Sequence, residues 1–231
     1  MGGNGGIGAA LCHHYLESGA SVWAVSHRAV ETQGLEAGAQ LDWLNQPQQL
    51  ADWLYKQAQQ FGKPELVISC CGFLHNEHRG PEKQLKDVSI DFLQQNLQLN
   101  CYSHVLLAQC LQSLYTRKDT FKFAALSAKV GSTTDNKLGG WYSYRISKAA
   151  LNMFIKTLSI EWHRTFPNAV AVAVHPGTTD TDLSKPFQKR IADDKLYSPQ
   201  LTANRLALVF EQLSKEQTGQ LLFWDGEALE Y

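Results

Sequence analysis

The stretch Gly2-Gly3-Asn4-Gly5-Gly6-Ile7-Gly8 decides the fold, and it opens the chain. A helical pattern follows it, with apolar side chains at Ala10, Leu11, Tyr15 and Leu16. Glycines let a backbone turn sharply and approach a pyrophosphate, and the following helix offers free N–H groups and the positive end of its dipole to phosphates. The stretch therefore indicates a nucleotide-binding loop. A flexible N-terminal tail is the alternative.

Short β-rich runs alternate with helical patterns along the rest of the chain. The predicted strands are 21–26, 65–71, 121–126, 169–174 and 220–224. The predicted helices are 50–61, a long one between 88 and 114, one at about 141–165 and one at about 201–213. This alternation predicts a single α/β domain over residues 1–231, with a doubly wound (Rossmann-type), mostly parallel sheet that is covered on both faces.

The first strand of such a fold is missing from the sequence. A nucleotide-binding glycine loop normally follows a central strand, whereas this chain begins inside the loop. Without that strand, two neighbouring strands keep unpaired backbone groups, which is costly when they are buried. We therefore expect the natural protein to start several residues upstream of Met1.

Composition excludes several classes of protein. The chain has 231 residues and a formal net charge of −1, from 21 Lys and Arg against 22 Asp and Glu. Hydrophobic residues make up 44% and charged residues 19%, as in an ordinary globular protein. A near-neutral charge gives no reason to expect nucleic acid or a membrane surface as a partner. The longest apolar stretch, around 66–74, is far shorter than the roughly 20 residues that a membrane span needs.

The cysteines indicate reduced thiols. There are five, an odd number, and no Cys-x-x-Cys spacing occurs, so neither a disulfide framework nor a zinc site is indicated: Cys12, Cys70, Cys71, Cys101 and Cys110. No signal peptide is visible. We therefore expect a cytoplasmic protein without a bound metal.

The end of the first visible strand bears on the choice of cofactor. An acidic residue at this position would bind the ribose 2′-OH of NAD, but the residues here are Ser26, His27 and Arg28. The Arg28 guanidinium can pair with a 2′-phosphate, so the sequence favours NADP(H) over NAD(H). The alternative is an ordinary solvated arginine.

Tyr144 and Lys148 are four residues apart and therefore lie on one face of a predicted helix. A nearby ammonium, together with the positive nicotinamide ring of an oxidised cofactor, favours the phenolate form of a tyrosine. The sequence therefore predicts a phenol of lowered pKa that can donate and accept a proton near neutral pH. A surface pair on a helix is the alternative.

With these motifs in place, the sequence resembles the short-chain dehydrogenase/reductase family. The matching features are the Gly-x-x-x-Gly-x-Gly spacing of the opening loop, the Tyr144/Lys148 pair, and His175-Pro176-Gly177 after a strand. The stretch 137–158 looks like the C-factor-like carbonyl reductase branch of that family. The resemblance covers nearly the whole chain except the absent first strand, and the motifs are specific only in combination.

The resemblance implies roles for individual residues. Tyr144 matches the acid/base of the family, Lys148 its partner, which also binds the nicotinamide ribose, and Asn100 an asparagine that holds a water in a proton relay. Asp42 matches an aspartate near the adenine ring, and Thr179 and Thr181 match contacts to the carboxamide and the pyrophosphate. The full set expected to bind the cofactor is Gly2, Asn4, Gly6, Ile7, Gly8, Arg28, Asp42, Gly72, Lys148, Pro176, Gly177, Thr179 and Thr181.

Two departures from the family pattern concern the catalytic centre. The Asn-Asn-Ala-Gly motif is replaced by Ser69-Cys70-Cys71-Gly72, which keeps the glycine but loses the asparagine contacts. The usual catalytic serine falls on Ala128, so Ser132 or Ser127 must supply the hydroxyl that polarises a carbonyl. We favour Ser132, which lies twelve residues before Tyr144.

Other segments have two interpretations each. His75 and His78 form a His-x-x-His spacing that suits a metal, but a loop beside the substrate cleft is favoured. Trp141 and Tyr142 are expected to flank the substrate pocket, with core aromatics as the alternative. In the family the segment 182–195 is a mobile flap over the substrate, and a simple surface loop is the alternative.

Taken together, the residues and the resemblance predict an NADP(H)-dependent oxidoreductase that acts on a small carbonyl compound or secondary alcohol. A catalytically silent, dinucleotide-binding regulator is the alternative. In this family the helices that begin near Val88 and Trp141 pair across a two-fold axis, so the resemblance implies a homodimer or homotetramer.

Overall fold

The computed structural model describes residues 1–31 and 33–231, with the side chains of Arg190 and Asp193 left out. Its helices are α1 (Gly6–Glu17), α2 (Pro47–Phe61), α3 (Ile90–Leu97), α4 (Ser103–Gln112), α5 (Tyr142–Thr165) and α6 (Pro199–Gln212). Its strands are β1 (Trp23–Ser26), β2 (Ala37–Gln40), β3 (Leu66–Ser69), β4 (Lys122–Leu126), β5 (Val170–His175), β6 (Thr178–Thr179), β7 (Leu196–Tyr197), β8 (Leu221–Phe223) and β9 (Ala228–Leu229).

The main sheet is parallel except at one edge. Strands β3, β4, β5 and β8 pair side by side in parallel, and β9 adds an antiparallel edge strand. Strands β1 and β2 form a separate parallel pair, as do the short strands β6 and β7. The predicted α/β class with a mostly parallel sheet is confirmed.

Met1 and Gly2 lie between β1 and β3 and bond to both. The Gly2 N–H donates to the Val25 carbonyl at 2.7 Å, the Cys70 N–H donates to the Met1 carbonyl at 2.8 Å, and the Met1 amino group donates to the Ile68 carbonyl at 2.7 Å. The two residues therefore bridge the β1–β2 pair and the main sheet at the position of the predicted central strand. That the natural chain starts upstream stays a prediction.

Helices cover both faces of the sheet, as the doubly wound layout requires. On one face α1 and α6 bury Leu11, Leu206 and Phe210 against the strands. On the other face α2, α4 and α5 bury a second cluster that includes Leu111 and Trp162. No helix of the described chain is long and apolar enough to cross a membrane.

Several local features differ from the sequence-based prediction, which does not include the short strands β6, β7 and β9. Strand β2 was not predicted, because Ala37-Gly38-Ala39-Gln40 has little intrinsic strand preference and forms a strand only through pairing with β1. The long helix predicted between 88 and 114 is divided into α3 and α4 by a π-helical segment, Gln98–Tyr102. The other predicted elements are present with ends shifted by a few residues.

Candidate active site

The glycine loop is closely packed before α1. A Cβ atom on Gly8 would collide with the Gly2 carbonyl oxygen, and a Cβ on Gly6 would lie 2.5 Å from the Thr181 Cγ2 atom. Only glycine fits either position without a shift of its neighbours. The first turn of α1 contains no acidic residue, so its free N–H groups and positive dipole end are not neutralised by a side chain. These features fit the pyrophosphate of a dinucleotide.

Other predicted cofactor contacts surround this loop. The Ser26 hydroxyl at the end of β1 donates to the Asn4 side chain, which ties the strand end to the glycine loop. Ile7 lies in the first turn of α1. Arg28 follows two residues after Ser26 and is exposed. Asp42 is exposed as well and accepts a hydrogen bond from the Asn45 side chain at 2.8 Å.

A cavity of about 570 Å³ lies beside this end of β1 and β2. Its lining combines the loop after each strand with one side of α3, the π segment and α4: His27, Asp42, Leu44, Asn45, Gln95, Gln98, Leu99, Tyr102, Val105 and Leu106. The His27 ring, which lines the cavity, stacks on the buried Trp43 ring at 3.6 Å between ring centres. The predicted adenine residue Asp42 therefore borders a cavity of suitable size for a small ring system.

The β5–β6 connection contains the Pro176-Gly177 turn. Gly177 has φ +78°, and a Cβ there would lie 2.9 Å from the Tyr197 ring, so the turn requires glycine. The Thr179 hydroxyl is hydrogen-bonded to the Thr202 hydroxyl on α6 at 2.8 Å and is buried. A contact between Thr179 and a cofactor would therefore involve its backbone, whereas Thr181 lies against the glycine loop.

Lys148, Asn100 and Gly72 lie together at the end of the sheet. The Lys148 ammonium donates to the carbonyl of Leu126, the last residue of β4, at 2.9 Å. A Cβ on Gly72 would lie 3.9 Å from the Asn100 Oδ1 atom and 4.0 Å from the Lys148 Nζ atom. Gly2 is also near, because its Cβ would lie 3.1 Å from the Cys70 carbonyl carbon. The glycine loop and the buried lysine therefore both lie at the carboxyl end of the sheet.

Asn100 lies in the π segment and has a fully buried side chain. Its amide nitrogen donates to the Phe73 carbonyl at 2.8 Å and to the Ser147 hydroxyl at 2.9 Å, and its oxygen accepts from the Phe73 N–H at 2.6 Å. These bonds fix the chain that follows Gly72 against α5. The role of Asn100 in holding a water stays a prediction.

Tyr144 and Lys148 are buried on the same side of α5, with 8% and 2% of their surfaces exposed. The Lys148 Nζ atom lies 5.9 Å from the centre of the Tyr144 ring. Burial raises the pKa of Tyr144 above the ordinary value for a phenol, so the predicted lowering of this pKa is wrong for the chain as it stands. Burial also lowers the pKa of Lys148 from 10.5 to about 8.

The candidate serines Ser127 and Ser132 differ in whether the hydroxyl proton is already donated to another side chain. The Ser127 hydroxyl donates its proton to the Asn152 side chain at 2.6 Å. The Ser132 hydroxyl accepts a hydrogen bond from the Asp135 N–H at 3.1 Å. Ala128 packs with Tyr144 and Leu74 in a small apolar cluster. Ala128 therefore brings a methyl group, and not a hydroxyl, to the cluster that contains the Tyr144 side chain.

The loop after β3 and the segment 182–195 meet above this cluster. The His75 ring nitrogen is 3.1 Å from the Asp182 carbonyl, and the Phe187 ring centre is 5.8 Å from that of His75 and 5.1 Å from that of Trp141. No group of three or more metal-ligating side chains occurs in the described part of the chain, including around His75 and His78.

Sequence reasoning missed one side chain of this region. Glu82 is buried and hydrogen-bonds to Ser143, the residue before Tyr144. The sequence contains no signal for this contact, because Glu82 lies in a loop 61 residues away from its partner.

Comparison with known proteins places the chain in a family. The model of the short chain dehydrogenase family matches residues 1–192. The chain belongs to this family, as its motifs predicted.

Curated relatives are distant and are matched over part of their length. The chain is 28% identical to 1-hydroxy-2-glutathionyl-2-methyl-3-butene dehydrogenase of a Rhodococcus species, over 64% of this chain and 62% of the relative. It is 31% identical to C-signal of Myxococcus xanthus, over 46% of this chain and 58% of the relative. Benzil reductase ((S)-benzoin forming) of Bacillus subtilis is 28% identical, over 79% of this chain and 74% of the relative.

Solved structures share the fold. Carbonyl reductase Sniffer of D. melanogaster superposes with a TM-score of 0.82 at 18% identity, over 100% of this chain and 97% of that chain. An NADPH-bound carbonyl reductase from chicken fatty liver has a TM-score of 0.82 at 19% identity, over 100% and 96%. A Burkholderia cenocepacia short chain dehydrogenase in complex with NADP has a TM-score of 0.77 at 21% identity, over 97% and 94%.

Replacement of Lys148 by Met tests the burial of the ammonium. Because the folded pKa of Lys148 lies below its unfolded value, the unfolded chain binds more protons between about pH 8 and 10.5, and the wild type gains stability as the pH rises through this window. Lys148→Met lacks this gain. In urea titrations the free energy of unfolding of the wild type, relative to that of the variant, should rise by roughly 1–3 kcal/mol from pH 8 to 10.5.

The matched control is Lys156→Met, which replaces an exposed lysine on the same helix. The stability difference between this control and the wild type should not change with pH. An equally flat difference for Lys148→Met would contradict a lowered pKa of Lys148.

Proposed function

We propose that the chain is an NADP(H)-dependent oxidoreductase that interconverts a carbonyl compound and a secondary alcohol, with Tyr144 as the acid/base. The observation that carries the proposal is a buried Tyr144–Lys148 pair at the same end of the sheet as the glycine loop, in a chain of the short chain dehydrogenase family. The glycine loop, Thr181 and Lys148 would hold the cofactor.

The state of Tyr144 suits reduction of a carbonyl. When bound, the nicotinamide supplies the hydride that reduces the carbonyl carbon. A phenol is protonated at neutral pH, and burial raises the pKa of Tyr144 further, so its hydroxyl can give that proton to the carbonyl oxygen. The Lys148 ammonium, whose pKa is about 8, is charged at neutral pH and stabilises the phenolate left behind.

Ser132 is the better candidate for polarising the carbonyl. Its oxygen accepts from the Asp135 N–H, so its own O–H remains to donate to a substrate oxygen. The proton of the Ser127 hydroxyl is already donated to Asn152. We therefore keep Ser132 in this role, with Ser127 as the alternative.

The walls around Tyr144 support an apolar substrate. The side chains that pack on this cluster are apolar or aromatic: Leu74, Val130, Trp141, Leu183 and Phe187. An apolar wall favours a carbonyl that carries an aryl or bulky alkyl group. The similarity to benzil reductase of Bacillus subtilis agrees with this choice.

NADP(H) rather than NAD(H) is the proposed cofactor. Arg28 is exposed just beyond the Ser26–Asn4 hydrogen bond and can reach a 2′-phosphate at that end of the cleft. Two of the solved relatives support the choice, since one is bound to NADPH and the other is in complex with NADP.

Tyr144→Phe is the main test of the proposal. Removal of the hydroxyl should lower kcat for NADPH-dependent reduction of aromatic aldehydes and diketones at least about 100-fold, because the proton donor is lost. NADPH binding, followed by quenching of tryptophan fluorescence, should be retained. Tyr55→Phe, at an exposed tyrosine on α2, should behave as the wild type.

A second candidate function is a regulator that binds the cofactor and turns nothing over. It is favoured by Ala128, which puts a methyl group beside Tyr144 where the family usually has the catalytic serine. If the wild type binds NADPH but oxidises it with no member of an aldehyde, ketone and quinone panel, the regulator replaces the enzyme as the conclusion.

Arg28→Ala tests the cofactor choice. Loss of the guanidinium should raise the KM for NADPH roughly tenfold or more, because a charge-assisted bond to the 2′-phosphate is removed. The KM for NADH should change less than about twofold. Arg164→Ala, at an exposed arginine near the end of α5, is the control. Equal effects on both cofactors would contradict a 2′-phosphate contact.

We further propose a homodimer or homotetramer. Ile146, Met153 and Ile160 recur every seven residues on α5 and are 45%, 66% and 56% exposed, so they form an apolar stripe on the outer face of that helix. Ile90 of α3 and Tyr102 of the π segment are also exposed. A stripe of this kind suits the pairing of two copies across a two-fold axis.

Met153→Lys should shift the sedimentation coefficient toward that of a monomer, because a charge on the stripe is desolvated when two copies pair. Leu208→Lys, at an exposed leucine on α6, is the control and should leave the association through α5 unchanged. A wild type that sediments as a monomer at micromolar concentration contradicts the proposal.

A further inference from the structure

The first turn of α5 begins from an unusual backbone conformation. Gly139 and Gly140 both have φ +65°, and Trp141, the N-cap residue, has φ +54°. Trp141 is the one residue other than glycine with a positive φ in the described chain. A bulky side chain in this region is strained, so surrounding contacts must hold it there.

The N-cap residue itself cannot supply the usual contact. A helix begins with N–H groups that have no partner inside the helix, and a Ser, Thr, Asp or Asn at the N-cap normally accepts from one of them. Trp141 makes no such side-chain contact. The helix that carries Tyr144 and Lys148 therefore starts without its own cap.

Glu82 supplies the cap from a distant loop. Its side chain is only 3% exposed. One carboxylate oxygen accepts from the Ser143 N–H at 3.1 Å, and the other accepts from the Ser143 hydroxyl. The Glu82 carbonyl accepts from the Trp141 N–H at 2.5 Å. The carboxylate lies at the positive end of the α5 dipole, which favours a negative charge there.

This cap is joined to the rest of the cleft through its own loop. The loop that contains Glu82 begins at Gly72, is fixed to Asn100 through Phe73, and touches the segment 182–195 through His75. Ser143, which Glu82 holds, is the neighbour of Tyr144 in the sequence. One loop therefore connects the start of the catalytic helix with both sides of the cleft.

We propose that Glu82 is a positioning residue: its carboxylate fixes the first turn of α5 and thereby the place of the Tyr144 hydroxyl relative to the bound substrate. The inference rests on the proposed oxidoreductase function. Glu82 touches neither substrate nor cofactor in this role. Its effect on the reaction passes through Ser143 and the backbone of the first helical turn.

Glu82→Ala, Glu82→Gln and Glu82→Asp test the proposal together, with Glu77→Ala as the control at an exposed carboxylate of the same loop. Alanine removes both acceptors. Glutamine keeps one oxygen for the Ser143 N–H and brings an amide that can donate to the Ser143 hydroxyl. Aspartate keeps the charge but shortens the reach by one methylene, and it replaces the alanine variant if that variant does not fold.

Two measurements are expected to change together. In Glu82→Ala, kcat should fall roughly 10- to 100-fold while the KM for NADPH changes less than about threefold, because the phenol is misplaced and the cofactor cleft is intact. The Ser143 amide should lose roughly tenfold or more of its protection from hydrogen exchange, since no helical carbonyl can replace Glu82. Glu82→Asp should show both losses, and Glu82→Gln should show neither.

Several outcomes would overturn the proposal. Unchanged kcat and unchanged exchange of the Ser143 amide in Glu82→Ala would remove it. A fall in kcat matched by an equal fall in the number of NADPH sites would mean that the residue serves folding alone. A Glu82→Gln variant as slow as Glu82→Ala would show that the charge, not the cap, is needed. If the wild type itself has no turnover, the oxidoreductase proposal fails, while the exchange measurement still decides what Glu82 holds.

Discussion

A buried ammonium group organises the candidate active site. Lys148 has lost almost all contact with solvent, and its nitrogen is tied to the last carbonyl of β4. Burial of a cation is unfavourable unless a polar group compensates it, and here the Leu126 carbonyl accepts a hydrogen bond from the ammonium at 2.9 Å. The turn after β4 comes so close to this lysine that a Cβ on Gly131 would lie 2.7 Å from the Lys148 carbonyl carbon. The end of β4, the turn at Gly131 and helix α5 therefore all contact Lys148.

The same burial decides how the tyrosine can act. The sequence suggested a phenol that ionises easily because an amine is one helical turn away. In the folded chain burial raises the pKa of Tyr144 instead. A phenol that stays protonated can give a proton to a carbonyl oxygen, which is the step that the proposed reduction requires of Tyr144.

Local patterns were sufficient for much of the fold. The glycine loop, the apolar runs and the helical spacing around Tyr144 and Lys148 predicted the parallel sheet, its two covering layers and the pair on α5. These features depend on near neighbours in the sequence. Strand β2 has no such pattern in its own residues. It forms only because it pairs with β1. Glu82 was missed for a related reason, since its partner is 61 residues away and nothing near it marks a helix start. The direction of the Tyr144 pKa depended on burial, which spacing alone does not give.

The π-helical turn between α3 and α4 determines which way the side chains of α4 point around the helix axis. An α-helix advances by 3.6 residues per turn, so one residue more or fewer rotates the following side chains by about 100°. In the present phase His104 faces the Cys71 carbonyl at 3.2 Å, and the Ser103 hydroxyl accepts from the Trp43 indole at 3.1 Å. Loss of a single residue from Gln98–Tyr102 would turn both groups away from these partners, and the segment just after β3 would lose its hydrogen bond from His104.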